Sequence, residues 1–489
     1  MSLITHPKPG EYDFVVVGGG SAGFAAARTA GSLGLSTLVI EGGVEVGGLC
    51  ILRGCMPSKT VIESANRMVA LQRAAEFGLR ADNLQVVGPE ILARKRRLVT
   101  EFADYRKGQL QAGAFDYLRG MARFEDDHTV SIDSQDGMPL GHARAKTILL
   151  ATGSRVSRVD LPGLAEVGFL TSDDALELSE IPRSIIVLGA GPIAVEASHH
   201  LSALGAKVTV INRGEHLLRG MDHDVAAVVQ RALAHRGLIF HLGKKLIAAE
   251  RTADGSKRVR FSDPQGEHAV EADEILYALG REPVLDGLKL ENVAGLPPSA
   301  RHRLVVAADQ SAGLPHLFAA GDVAGPYEIV HLAIQQGEIA ARNAARRLGK
   351  LSSPIESMDY RVKIFCMFAQ PQIGAVGLTE HEAAEQKLDV AVASYAFADH
   401  GKSMIMGETE GFVKLIAERA TGRLVGGAVV GPDGSELIHE IAVAMHFHAT
   451  ARDLSHVPHY HPTLSEIWTY PAEELASLGP AGDSSALSR

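Results

Sequence analysis

The chain has 489 residues, 46% of them hydrophobic and 22% charged, which is typical of a globular protein with a large core. Its formal net charge of −10 argues against nucleic acid as a partner. Three cysteines in a chain of this length exclude the disulfide framework of a small secreted protein.

The N-terminal segment 1–13 is polar and contains two prolines, unlike a secretory signal peptide. No apolar run in the sequence reaches the roughly 18 residues that are needed to cross a bilayer. We therefore expect a cytoplasmic protein that binds neither a membrane nor nucleic acid.

A glycine-rich turn directly follows the first predicted strand, 14–17. In such a turn glycine permits the tight bend, the close approach of a pyrophosphate and the close packing of helix on strand. Glu41 follows the next predicted strand, 36–40, where an acidic side chain can accept hydrogen bonds from ribose hydroxyls. This pattern predicts a dinucleotide site. Its G-x-G-x-x-G motif contains Gly18, Gly20, Ser21, Ala22 and Gly23.

Two cysteines, Cys50 and Cys55, lie close together after this motif. Two buried thiols or half of a zinc site are the alternatives, but a zinc site needs four ligands and the third cysteine, Cys366, is distant in sequence. A helix predicted over 58–71 would put Cys55 at its positive end, with Lys59 one turn in. Because both features favour a thiolate, the pattern indicates a redox pair.

A second fingerprint, G-x-G-x-x-A, follows the predicted strand 184–188 and contains Gly189, Gly191 and Ala194. Two dinucleotide folds in one chain imply an electron relay. After the next strand, 207–211, Asn212 replaces the expected acid, and Arg213 and Arg219 follow. Arginine pairs with a 2′-phosphate that an acid would repel, so NADPH is predicted over NADH. The alternative is that both arginines are surface charges.

The other predicted elements complete an α/β chain. The strand 147–150 leads into Thr152 and Gly153, and the strand 317–320 leads into Asp322, which would bind a ligand hydroxyl or cap the next turn. A C-terminal α+β domain begins near 355. The remaining elements are helices at 89–115, 331–348, 435–447 and 465–476, strands at 274–280, 362–365, 374–377, 411–416 and 424–430, and a frayed tail at 479–489.

Three histidines crowd the segment 456–466, but no carboxylate or cysteine at ligand spacing supports a metal site, and none is predicted. Thr463 and Glu466 have the spacing of a capping box. The functional alternative is that Glu466 orients His461 as a general acid–base.

Together these motifs resemble the class I pyridine nucleotide–disulfide oxidoreductases, which include dihydrolipoamide dehydrogenase, glutathione reductase and mercuric reductase. The resemblance covers essentially the whole chain. It implies an α/β fold with two Rossmann-like dinucleotide-binding domains, for FAD and NAD(P), and a C-terminal α+β dimerisation domain. The implied bounds are 1–155 for the FAD domain, 156–284 for the NAD(P) domain, 285–354 for a central domain and 355–489 for the dimerisation domain.

The resemblance also implies cofactor roles. The first fingerprint and Glu41 would hold the adenosine and pyrophosphate of FAD, and Thr152, Gly153 and Asp322 would complete the flavin site. Lys59 would lie beside the flavin and pair with Glu196. Further cofactor-binding positions are Gly48, Ala122 and Gly280.

The implied reaction passes a hydride from NADPH, with NADH as the alternative, to FAD and then to a Cys50–Cys55 disulfide. Cys55 would be the charge-transfer thiolate, and Cys50 would attack a small-molecule or carrier-bound disulfide. His461 and Glu466 would serve the other subunit of a homodimer. The alternatives are a metal-ion or quinone reductase on the same scaffold and a non-catalytic redox-sensing protein.

Four features depart from the family pattern. Leu49 replaces a threonine, Pro192 takes the place of an aromatic gate, and Val284 replaces an asparagine. The segment 365–371 also differs, which concerns the surroundings of the flavin and the substrate channel.

Overall fold

The computed structural model describes residues 3–296 and 304–478. In chain order its strands are β1 (Glu11–Val17), β2 (Thr37–Glu41), β3 (Asp116–Arg119), β4 (Met121–Phe124), β5 (Thr129–Asp133), β6 (Pro139–Leu150), β7 (Ser154–Val156), β8 (Ser184–Leu188), β9 (Lys207–Ile211), β10 (Ile239–His241), β11 (Lys245–Arg251), β12 (Lys257–Asp263), β13 (Gly266–Ala272), β14 (Glu274–Tyr277), β15 (Arg281–Pro283), β16 (Leu317–Ala319), β17 (Ile364–Met367), β18 (Gln372–Gly377), β19 (Val390–Ala396), β20 (Phe412–Glu418) and β21 (Leu424–Gly431).

The helices of the described residues lie between and after these strands. They are α1 (Ser21–Ser32), α2 (Gly48–Leu52), α3 (Cys55–Gln72), α4 (Gly88–Ala112), α5 (Leu164–Val167), α6 (Ser172–Ala175), α7 (Pro192–Ala203), α8 (His223–His235), α9 (Val330–Arg347), α10 (Glu380–Glu385), α11 (Gly401–Met406), α12 (Gly434–His446), α13 (Ala451–Ser455) and α14 (Thr469–Leu478). Among the described residues, none of these helices combines the length and the apolar character that crossing a membrane requires.

The first compact unit, formed by described residues of 1–60, 93–158 and 280–359, is built on a sheet with the strand order β3-β2-β1-β6-β5-β4. Strands β1, β2, β3 and β16 belong to its parallel part, and β4 and β5 extend it antiparallel. Strand β1 is buried over six consecutive residues, as expected for a strand that is covered on both faces. Helices α1 and α9 touch closely, since a Cβ added at Gly337 would lie 2.2 Å from the carbonyl oxygen of Ala22.

The second unit comprises described residues of 61–92, 159–279 and 360–489 and contains three sheets. The first is parallel, with the order β10-β9-β8-β14, and α7 follows β8. The second is the antiparallel sheet β11-β12-β13. The third is the antiparallel sheet β17-β18-β21-β20-β19, whose core packs against α12 and α14 around the buried Trp468.

The observed elements confirm the predicted fold class of two dinucleotide-binding folds with a C-terminal α+β segment. The predicted strands 184–188 and 207–211 coincide with β8 and β9. The helix predicted over 58–71 begins earlier, at Cys55, because Pro57 occupies its first turn, where no backbone N–H is needed. The predicted helix 465–476 is instead a short 3-10 turn followed by α14.

Several elements of the second unit were not predicted, among them the sheet β11-β12-β13, strand β19 and helix α8. Strands β12 and β13 carry the cross-strand ion pairs Arg258–Glu271 and Arg260–Glu267 and lack an apolar run, and β13 is mostly exposed. Strand β19 (VAVASYA) mixes strand-favouring Val and Tyr with Ala and Ser, which leaves a weaker strand signal. The predicted frayed tail at 479–489 lies outside the described residues.

Candidate functional site

The first glycine-rich turn is held by backbone contacts that exclude larger residues. Gly18 has φ +106°, and a Cβ added there would lie 2.4 Å from the carbonyl oxygen of Ala151. A Cβ added at Gly23 would lie 1.8 Å from the oxygen of Gly18. Gly189 repeats the arrangement in the second unit, with φ +107° and a Cβ position 2.4 Å from the oxygen of Ala278. Both turns therefore need glycine for their own close packing.

Helices α1 and α7 begin without a side-chain cap. Their N-cap residues are Gly20 and Gly191, and neither makes a side-chain hydrogen bond to the first turn. By contrast, α6, α10 and α13 begin with capping boxes at Thr171, Thr379 and Thr450. The N-terminal N–H groups of α1 and α7 therefore have no side-chain acceptor at the helix start, which suits an anionic ligand.

The space in front of these two helices also fits a pyrophosphate. A Cβ added at Gly191 would meet nothing within 4 Å, and one at Gly20 would meet only the Cα of Gly48 at 3.8 Å. Open space beside uncapped N–H groups is the arrangement that a dinucleotide phosphate requires. The residues present therefore fit one dinucleotide at each helix.

Glu41 ends β2 as a buried carboxylate held by two backbone N–H groups. Gly19 N donates to Oε2 at 3.0 Å, and Gly43 N donates to Oε1 at 2.7 Å. Each carboxylate oxygen retains a lone pair for a further donor. Glu41 therefore lies where the sequence predicted a ribose acceptor, beside the first glycine-rich turn.

The segment that carries the two cysteines packs against the first glycine-rich turn, main chain against main chain. Gly48, with φ +74°, begins α2, and a Cβ added there would lie 2.7 Å from the Cα of Gly20. Cys50 lies on α2, and Cys55 is the first residue of α3. Because Gly20 starts α1, the two thiols are tied to the phosphate-binding end of that helix.

The two cysteines are not joined by a disulfide, and their thiols are in hydrogen-bond contact with each other. The hydrogen bond to Cys55 and burial both raise the pKa of Cys50 well above its ordinary value. The negative charge of the pair is therefore favoured on Cys55, which also lies at the positive end of the α3 dipole. Cys50 needs a base to become a nucleophile at neutral pH.

A chain of polar contacts joins three segments of the first unit. Ser154 Oγ donates to Asp322 Oδ2 at 2.6 Å and accepts from Arg281 Nε at 2.8 Å. Thr152 Oγ1 donates to the carbonyl oxygen of Val284 at 2.6 Å. At position 284 the backbone thus makes the contact, so valine can replace asparagine there. Ser154 and Arg281 were not predicted as site residues, although they directly follow the predicted Gly153 and Gly280.

The loop after β9 presents two free arginines. Asn212 Nδ2 donates to the carbonyl oxygens of Gly214 at 3.0 Å and His216 at 3.3 Å, which shapes the loop. Arg213 and Arg219 are exposed, and neither has an ion-pair partner among the described residues. Their charges are available to a ligand.

The C-terminal histidine motif forms a relay rather than a capping box. His461 Nδ1 lies 2.9 Å from Glu466 Oε2, and the short helix at Glu466 has no side-chain cap. The His461 side chain is 79% exposed, whereas the Glu466 side chain is 11% exposed. Glu466 therefore orients the ring from within the protein and leaves its Nε2 edge to the outside.

His400 supports Glu466 from the opposite side and was not predicted. Its ring is fully buried, with Nε2 3.2 Å from Glu466 Oε1 and Nδ1 2.8 Å from Ser403 Oγ. Burial lowers the pKa of His400, so it is neutral at pH 7 and leaves the negative charge of Glu466 to His461. Only the folded chain brings His400 to this position.

The other predicted positions are scattered, and several are structural. Glu196 is buried on α7, where its Oε1 accepts from Phe368 N at 3.0 Å. Lys59 lies in the second turn of α3, and its pairing with Glu196 remains a prediction. Ala122 packs in the core of the first unit. Gly280 has φ +120°, which favours glycine there.

Two groups resemble metal sites but have other partners. His459 Nε2 lies 2.6 Å from Glu440 Oε1, so it is paired with a carboxylate. Among the described residues, three carboxylates that could hold a cation converge around Lys414, whose Nζ lies within 2.7 to 2.9 Å of each. Its ammonium supplies the positive charge that this cluster needs. The three carboxylates are those of Asp222, Asp224 and Glu380.

Comparison with known families accounts for most of the chain. The family model described as "Pyridine nucleotide-disulphide oxidoreductase" matches residues 12–337. The model of the dimerisation domain of the same family matches residues 365–472, which supports a homodimer.

Curated relatives match over nearly their whole lengths. Dihydrolipoyl dehydrogenase of Bacillus subtilis (strain 168) is 33% identical over 453 residues, which cover 92% of this chain and 96% of the relative. Dihydrolipoyl dehydrogenase 3 of Haloarcula marismortui is 33% identical over 461 residues, covering 93% and 94%. Leghemoglobin reductase of Glycine max is 31% identical over 460 residues, covering 93% and 86%.

Solved structures share the fold. LpdA from Mycobacterium tuberculosis superposes with a TM-score of 0.83 at 28% identity, covering 94% of this chain and 99% of that chain. The HOCl-induced flavoprotein disulfide reductase RclA from Escherichia coli, solved as a Cu(II) complex, has a TM-score of 0.81 at 24% identity, covering 95% and 99%. The second likeness concerns the fold alone.

Proposed function

Because the chain belongs to the pyridine nucleotide–disulphide oxidoreductase family, whose enzymes depend on FAD and a pyridine nucleotide, we propose that it passes electrons from NADPH to a disulfide substrate. The observation that carries this proposal is the thiol pair Cys50 and Cys55, tied at Gly48 to the phosphate-binding turn of the first dinucleotide fold. The substrate is a small-molecule or carrier-bound disulfide.

The proposed cofactor sites follow the two fingerprints. FAD would be held by the turn that starts α1, by Glu41 and by the polar chain at Asp322, and the pyridine nucleotide by the turn that starts α7. Four domains with the bounds given above would carry these sites. Bound FAD supplies a carrier that accepts a hydride from the nicotinamide and delivers an electron pair to a disulfide.

The residues of the chain carry the disulfide exchange. The Cys50 thiolate attacks one sulfur of the substrate, forming a mixed disulfide and releasing the other sulfur as a thiolate. The Cys55 thiolate then attacks the Cys50 sulfur, which closes the Cys50–Cys55 disulfide and releases the second substrate thiolate. His461 of the partner subunit would take the Cys50 proton and return it to the leaving thiolate. Removal of the proton by His461 offsets the raised pKa of Cys50.

One set of assays tests the proposal. Oxidation of NADPH and NADH is measured with lipoamide, glutathione disulfide, mixed coenzyme A disulfides, metal ions and quinones. Turnover with at least one disulfide, faster with NADPH, is expected. Rapid turnover with a metal ion or quinone alone would favour the alternative reductase, and no turnover with any acceptor would favour a redox-sensing protein.

The Arg213→Glu variant should use NADPH less well and leave NADH use nearly unchanged. The substitution replaces a cation that can pair with the 2′-phosphate by a repelling carboxylate. The ratio of kcat/KM for NADPH to that for NADH should fall about tenfold or more. Arg231→Glu, at an exposed position on α8, is the matched charge control. An unchanged ratio in Arg213→Glu would make this arginine a plain surface charge.

Alanine at the two N-cap glycines should separate the two cofactors. The added methyl fits the protein at Gly20 and Gly191, at a cost of about 1 kcal/mol of helix capping, but it occupies the space of a pyrophosphate. Gly20→Ala should lower the flavin content, read as the ratio of absorbance at the flavin band to the protein band. Gly191→Ala should keep its flavin and bind the nicotinamide cofactor more weakly. The assignment fails if Gly20→Ala retains full flavin occupancy.

A further inference from the structure

A partly buried arginine on α4, packed on the first turn of α1, is not used by the mechanism above. Arg106 lies on α4, and its guanidinium carbon stands 4.2 Å above the ring centre of Phe24. Its Nε donates to Gln109 Oε1 at 3.2 Å. Its Nη1 is buried and has no hydrogen-bond partner among the described residues. The group is thus held in place on an aromatic face, with the N–H donors of Nη1 unused.

The electrostatic surroundings of Arg106 favour the binding of an anion. Arg28 lies one turn beyond Phe24 on α1 and repels the Arg106 guanidinium. Arg28 has its own partner, Glu338, at 3.3 Å, whereas Arg106 has no carboxylate partner among the described residues. Burial lowers the pKa of Arg106, which reflects the cost of an unpaired charge in this place.

Arg106 lies where it can act on the thiols and not on the cofactor phosphates. Arg106 stacks on Phe24, one turn from Gly20, and at Gly20 the chain of Gly48 packs against α1 two residues before Cys50. Its positive charge also opposes the rise in the pKa of the Cys50 thiol. The phosphate-binding end of α1 is at Gly20, whereas Phe24 and Arg28 lie roughly 6 Å and 12 Å further along the helix axis. An anion that meets Arg106 would therefore arrive with the molecule that Cys50 attacks.

We propose that Arg106, stacked on Phe24, is a specificity-determining residue that binds an anionic group of the disulfide substrate beside Cys50. The substrate class is a disulfide with a carboxylate, sulfonate or phosphate close to the reacting sulfur. A planar guanidinium binds each of these groups through charge-assisted hydrogen bonds. This inference rests on the proposed disulfide reduction and narrows its substrate.

Matched substrates test the charge preference. 3,3′-Dithiodipropionate and its diamide share the disulfide and differ in the charge carried close to the sulfur, and 2,2′-dithiodiacetate and its diamide form a second pair. Arg106→Gln should lower the preference in kcat/KM for the anionic member about tenfold or more, the effect of one lost charge-assisted hydrogen bond. Lys107→Gln, at the next and exposed position of α4, should leave the preference as in the wild type. An equal loss for both members in Arg106→Gln overturns the proposal.

Alkylation gives a readout that needs no turnover. In the NADPH-reduced holoenzyme, iodoacetate and iodoacetamide compete for Cys50, and the labelled peptide is quantified by mass spectrometry. In the wild type, the ratio of iodoacetate label to iodoacetamide label on Cys50 should exceed the ratio that the same two reagents give with the thiol of free glutathione. Arg106→Lys should keep most of this preference. A wild-type ratio equal to that of glutathione overturns the proposal even if Arg106→Gln does not fold. So does loss of flavin from Arg106→Gln, because the arginine would then belong to the cofactor site.

Failure of disulfide reduction can be distinguished from failure of the role of Arg106. If the wild type reduces neither member of either pair, the proposed disulfide reduction itself is wrong for these substrates, whatever the alkylation ratio. If it reduces both members equally well, disulfide reduction stands and the role of Arg106 is rejected.

Discussion

Replacement of Cys50 by serine is expected to lower disulfide reduction by on the order of 10³-fold or more, while the bound flavin remains reducible by NADPH. The reason is that serine cannot form the mixed disulfide, whereas hydride transfer needs no thiol. Stopped-flow absorbance of the flavin band measures the reductive half-reaction, and NADPH consumption with a disulfide measures the whole cycle.

The third cysteine offers the matched control for this experiment. Cys366 lies on β17, with Sγ 3.8 Å from the carbonyl oxygen of Ser435, and plays no part in the exchange. Cys366→Ser should therefore turn over disulfides at nearly the wild-type rate. Retained disulfide reduction in Cys50→Ser would defeat the assignment of Cys50 as the attacking thiol.

The His461→Gln variant should lose about 10²- to 10⁴-fold in disulfide turnover, the contribution usual for a general acid–base. Glutamine keeps the size and a polar end but cannot carry the proton between Cys50 and the leaving thiolate. Glu466→Gln should show a smaller loss, because the ring remains but loses its charged partner at Nδ1. Both rates are measured with the flavin content and the oligomeric state confirmed by absorbance and light scattering.

His456 gives the control for a change of histidine in the same segment. It is exposed, and His456→Gln should behave as the wild type. Full activity of His461→Gln would remove the relay from the mechanism. A monomer at micromolar concentration that still turns over disulfides would equally remove the proposed role of the partner subunit.

The sequence predicted the parts of the site that depend on local backbone geometry. Gly18 and Gly23 are required by contacts within one turn, and such contacts leave a spacing that can be read directly. The same holds for Cys55, whose place at the start of α3 follows from the nearby proline.

The parts that depend on distant segments could not be predicted in this way. His400 meets Glu466, and Ser154 meets Asp322 and Arg281, only because the fold brings separate elements together. An isolated histidine or serine carries no spacing signal. Arg106 was passed over for the same reason, since a charged helix face normally indicates a solvated surface.

The contact between Gly20 and Gly48 has a consequence for how this protein can change over time. Two main chains touch there without any intervening side chain, so the separation between the proposed phosphate-binding turn and the two cysteines is set by the course of the polypeptide and not by rotamers. Neighbouring surfaces can drift to accept new oxidants without altering that separation. Specialisation of the protein should therefore have accumulated around the entrance for the oxidant, while this crossing stayed fixed.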